Sequence, residues 1–109
     1  MPTTYKVLGQ VAPSATTATT LETVPSSTQV VVSTIAVCNR AATAATYRIA
    51  VRPAGATLAN EHYIAYDVAI TANNSTFITV GVTLAATDVI TVYASTANLS
   101  FSAFGSEIS

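Results

Sequence analysis

Along residues 45–53, ATYRIAVRP, apolar Tyr47, Ile49 and Val51 alternate with Arg48, Ala50 and Arg52. A period of two is the spacing of a β-strand with one face turned inward. The same reading extends along most of the chain. Strands are expected over residues 5–10, 21–24, 28–39, 45–52, 62–70, 75–82, 88–95 and 99–105. Between them lie residues with turn chemistry. Pro25 stops the second run, Pro53 and Gly55 punctuate the longest connection, and Asn73 and Asn74 tolerate left-handed backbone. The run TQVVVSTIAVCN is dense in β-branched residues, which marks a central strand. No segment sustains a helical period. About eight short strands at roughly 10-residue spacing predict an all-β fold, a single antiparallel β-sandwich of immunoglobulin-like or jelly-roll type. The strands nearly span the sequence, so residues 1–109 are expected to form one domain. The alternation places Val37, Ile49, Val51, Ile64, Phe77, Val92 and Phe101 in the core. Tyr47 and Tyr66 are expected on buried faces, and Cys38 reads as a small buried hydrophobe.

Composition sharpens this picture. Half of the residues are hydrophobic and 8% are charged, against roughly 25% charged in an ordinary soluble domain. The polar surface must come mostly from Thr, Ser, Asn and Gln. With a net charge of −1, repulsion does little to keep copies apart. Such a surface suits a protein that sits against other proteins. Low charge with abundant β-branched residues is the reverse of a disordered composition. No apolar run reaches the ~18 residues of a membrane-spanning helix. The opening MPTTYKVLGQ lacks the charged and apolar regions of a signal peptide. Synthesis in a cytoplasm, without export, is the expectation, and the single cysteine suits a reducing compartment.

The candidate chemistry is sparse. His62 is the one histidine, and a zinc site needs three or four ligands. No serine sits in a G-x-S-x-G elbow. Cys38 lies in an apolar run rather than an electropositive setting. Glu22, Glu61, Asp67, Asp88 and Glu107 are scattered singly, and no glycine-rich phosphate loop or basic stripe is present. The expectation is a non-enzyme with no metal, cofactor, nucleic-acid, membrane or small-molecule partner. What stands out is Arg48 and Arg52, two of only four cations, on one strand face roughly 13 Å apart. One reading is protection of an exposed sheet edge by outward charge. The other is a docking strip for an acidic partner or a neighbouring copy. Arg40 joins Arg48 and Arg52 as a candidate protein-interface residue.

The segments YKVLGQVAP, LETVPSSTQVVVSTIAVCNRA, ATYRIAVRPAGATLANEHYIAYD and LAATDVITVYASTANLSFSAFGSEI together resemble small virion structural proteins of tailed bacteriophages of the cyanophage type. The most specific parts are TYRIAVRPAGATLANEHYIAYD and ATDVITVYAS. The chain carries Glu22 where such proteins often carry Tyr, so no aromatic contact is implied there. The resemblance implies a β-sandwich decoration or cement protein on the capsid surface. Its partners would be the major capsid protein, copies of itself, or both. The alternative is a receptor- or carbohydrate-binding module at the tail or tail fibre, with Tyr5, Tyr47, Tyr63, Tyr66 and Tyr93 as the available aromatic platform.

Overall fold

The computed structural model describes residues 2–109. Eight strands run in chain order: β1 (Thr3–Val11), β2 (Thr19–Thr23), β3 (Gln29–Asn39), β4 (Ala45–Arg52), β5 (Tyr63–Ile70), β6 (Ser75–Leu84), β7 (Val89–Ala94) and β8 (Leu99–Ile108). They form two four-stranded antiparallel sheets. Sheet A has the order β1-β8-β3-β6 and sheet B the order β2-β7-β4-β5. The antiparallel pairs β1·β8, β2·β7, β3·β6 and β4·β5 are those of one long hairpin with its tip at β4–β5, rolled up so that its halves face each other. That is jelly-roll connectivity, and the order excludes the immunoglobulin arrangement.

The core lies between the sheets. Val30, Val32, Ile35, Val37, Leu99, Phe101 and Ala103 come from sheet A, and Leu21, Tyr47, Ile49, Ile70, Ile90 and Val92 from sheet B, all of them buried. On β3 the buried parity switches from Val30 and Val32 to Ile35 and Val37. A register shift between Val32 and Thr34 accounts for the switch, because an extra residue inverts the faces of everything after it. At one margin the sheets come very close. A Cβ on Gly9 would overlap the carbonyl oxygen of Leu21, so β1 and β2 can meet there only at a residue without a side chain.

Buried polar groups pin the connections. The side chain of Asn39 is enclosed. Its amide donates to the carbonyls of Thr43 and Thr71 at 2.9 and 3.2 Å, and its oxygen accepts from the backbone N–H of Ala41. One amide thus ties the β3–β4 connection to the β5–β6 turn. In that turn Asn73 takes the left-handed conformation expected of it, with φ of 53°.

Four of the seven expected core residues are buried, one is half-buried and two are corrected, as are Tyr66 and Cys38. Val37, Ile49, Val92 and Phe101 are buried, and Val51 packs against the core half-buried. Ile64 and Phe77 are exposed, as is Tyr66. Phe77 lies on edge strand β6, whose inward parity is taken by Ile78, Val80 and Val82. Ile64 and Tyr66 lie on edge strand β5, where register shifts break the alternation. Cys38 follows Val37 on β3, so it turns to the outer side of sheet A and is only half-buried.

Candidate functional site

The arginine pair lies where its parity predicts. Arg48 and Arg52 project from the outer face of sheet B, in register with Tyr93 and Val89 of β7. The strand that carries them is interior, flanked by β7 and β5, so shielding an exposed edge cannot be their role.

Each arginine has partners within the chain. Arg48 Nε donates to Asp67 Oδ1 at 2.6 Å and Nη2 to Oδ2 at 3.3 Å, a bidentate pair. Its guanidinium lies between two rings, with its central carbon 4.2 Å from the centroid of Tyr66 and 4.3 Å from that of Tyr93. The Asp67 hydrogen bonds hold the Arg48 guanidinium more firmly protonated than usual and lower the Asp67 carboxyl below the ordinary aspartate range. Arg52 Nε donates to the carbonyl of Ala56 at 2.7 Å, Nη2 to that of Gly55 at 3.0 Å and Nη1 to Thr91 Oγ1 at 3.2 Å. Arg40 Nη2 donates to the carbonyl of Ala97 at 3.0 Å, joining the β3–β4 connection to the β7–β8 turn.

Arg52 is thereby the anchor of the connection 53–62. This segment makes two 3-10 turns, Pro53–Gly55 and Asn60–His62. It lies against β4 and β7, where Ala50 and Thr91 are buried although their parity turns them away from the core. Asp88 adds a second tie, accepting from the backbone N–H groups of Ala54 and Ala85. His62 ends the second turn half-buried, its Nδ1 accepting from the backbone N–H of Ala59 at 3.0 Å.

The meeting of Arg48 with Asp67 depends on a bulge. Between the pairings Tyr47↔Val68 and Ile49↔Ala65, β5 carries one residue more than β4. Asp67 takes φ of 51°, a left-handed conformation that costs a non-glycine residue about 1–2 kcal/mol. As a result the neighbours Tyr66 and Asp67 both reach Arg48, where a regular strand would send them to opposite faces. Tyr63 adds its ring to that of Tyr66, edge to face at 4.9 Å. With Asn60 these two tyrosines line an open recess of about 390 Å3. Of the five tyrosines, Tyr63, Tyr66 and Tyr93 gather near Arg48, Tyr47 is buried in the core, and Tyr5 is on the other sheet.

Sheet A presents a different surface. Its strands carry two charged residues, Lys6 and Glu107. These pair at 3.5 Å and share the inward parity of Gly105 and Val30, their register partners. The outward positions are therefore uncharged. Tyr5 is 85% exposed, Phe77 69% and Val7 47%, and Val31 and Phe104 lie half-buried between them across the sheet. Among the described residues no group of three His, Cys, Asp or Glu side chains is placed to hold a metal ion. No family model, curated protein or solved structure matches the chain.

Proposed function

We propose that this protein is a non-enzymatic virion structural protein that decorates and stabilises an assembled bacteriophage head. It docks through the outer face of sheet A. The observation that carries the proposal is that uncharged face, with Tyr5, Val7 and Phe77 exposed around Val31 and Phe104. The centres of protein interfaces are depleted in charge and enriched in aromatic residues. Four strands about 4.8 Å apart and roughly 30 Å long present on the order of 600 Å2. That approaches the ~800 Å2 each partner contributes to a standard stable interface. Repetition over a symmetric shell turns many such contacts into strong net stabilisation. The resemblance of TYRIAVRPAGATLANEHYIAYD and ATDVITVYAS to phage virion proteins supplies the setting.

The test is co-sedimentation with phage heads assembled without this chain. Wild-type protein should pellet with the heads. Tyr5→Ser combined with Phe77→Ser should stay in the supernatant while melting at nearly the wild-type temperature, because both side chains are exposed. Equal pelleting of the two proteins would remove sheet A as the docking face. Failure of the wild type to pellet would remove the capsid as the partner.

A further inference from the structure

The outer face of sheet B carries a second, chemically distinct surface, and the capsid reading does not depend on it. From Tyr63, Tyr66, Asp67, Arg48 and Asn60 we infer that this protein binds a neutral saccharide at the recess beside the β5 bulge.

Three observations converge. The first is a fixed aromatic platform. Tyr66 is 56% exposed, yet its position is set by the Arg48 guanidinium and by the Tyr63 ring. An exposed ring already held in place loses little freedom when a ligand stacks on it. Pyranose rings present a face of C–H bonds with partial positive charge, which suits the face of Tyr66 that the Arg48 guanidinium does not cover.

The second is hydrogen-bonding capacity at the rim of the rings. The Asp67 carboxylate is nearly half exposed despite its contact with Arg48. Each of its oxygens takes one Arg48 N–H and keeps a lone pair for a sugar hydroxyl. Among the described residues, Arg48 Nη1 and the Asn60 side chain donate no hydrogen bond within the chain, so both remain available. Sugar hydroxyls donate and accept at once, and this mixture of acceptors and donors answers both needs.

The third is charge balance. Arg48 and Asp67 neutralise each other, so the site offers no net charge to an anionic or cationic ligand. A neutral sugar fits it better than a sialylated or sulfated one. The left-handed backbone at Asp67 is what brings the carboxylate and the Tyr66 ring to one face of the strand.

A printed glycan array carrying neutral, sialylated and sulfated glycans is the first experiment, probed with labelled protein. Amide chemical-shift titration with the best-bound neutral glycan follows. Saturable binding to a neutral glycan is expected, with shifts centred on Asn60, Tyr63, Tyr66 and Asp67. Tyr66→Ala should weaken it by about tenfold or more, whereas Tyr66→Phe, which keeps the ring, should stay within about threefold. Melting curves of both variants separate a lost site from a lost fold. An array with no bound glycan, binding confined to charged glycans, or shifts centred elsewhere would each overturn the inference. The Tyr5→Ser and Phe77→Ser variant should bind the glycan as the wild type does, so failure here is distinct from failure of the docking face.

Discussion

Tyr47 of β4 and Phe101 of β8 meet edge to face across the interior, with ring centroids 6.1 Å apart and planes inclined at 75°. They are the largest fully buried side chains, and they come from opposite sheets, so this contact clamps the two layers together. Phe101→Ala should cost about 3–5 kcal/mol in urea denaturation, through lost burial and the cavity left behind. Phe77→Ala, on the outside of sheet A, should stay within about 0.5 kcal/mol. Comparable losses at the two sites would mean that the faces of sheet A have been assigned wrongly.

At Gly9, where β1 and β2 come together, the neighbour that a methyl group would strike is backbone and cannot rotate away. Gly9→Ala should therefore destabilise by about 1–3 kcal/mol, the usual cost of overpacking. A neutral outcome in thermal melts would show that the margin between the sheets is open.

Glu22 gives stability a pH dependence. Burial raises its carboxyl above the ordinary glutamate value and Glu107 adds to this, while the Thr23 backbone and Lys6 oppose it. The folded state thus holds this proton more tightly than the unfolded chain. The contribution favours folding below the unfolded pKa and is lost as pH rises through the folded one. Asp67 acts in the opposite sense. Its lowered pKa contributes stability present above the unfolded value and lost as acid protonates the folded state. Glu22→Gln should raise the melting temperature at pH 7 and leave it nearly unchanged at pH 3. An unchanged melt at pH 7 would show that the Glu22 carboxylate is not penalised by burial.

The Arg52 fork holds the connection 53–62 through two carbonyls and a hydroxyl. A lysine cannot reproduce that geometry. Both Arg52→Lys and Arg52→Ala should speed amide hydrogen exchange and protease cleavage within 53–62, with β3 and β8 still protected. Equal exchange in the wild type and Arg52→Ala would mean that Asp88 alone secures the segment.

The strands were legible because alternation and turn chemistry agree along the chain. Pro25, Pro53 and the pair Asn73–Asn74 mark real boundaries. Jelly-roll order was not legible, since it rests on pairings such as β1 with β8 that no local pattern encodes. On β6 the sequence held the correct answer. Ile78, Val80 and Val82 share one parity against Phe77 on the other, and three apolar positions in phase outweigh one large ring. On β5 it did not. The bulge at Asp67 uses an aspartate where a glycine would have signalled left-handed backbone, so Tyr66 read as inward and its contact with Arg48 was hidden. The outward parity of Arg48 and Arg52 was readable. The anchoring of the 53–62 connection by Arg52 was not, because it requires the chain to fold back over its own sheet.

The most direct measurement is a cryo-electron microscopy map of phage heads carrying this chain, at a resolution that distinguishes its two sheets. Sheet A should lie against the shell, with Tyr5, Val7 and Phe77 enclosed by the neighbouring protein, while Arg48, Tyr66 and Asp67 face solvent. Copies with sheet B against the shell, or density confined to the tail, would contradict the proposed docking.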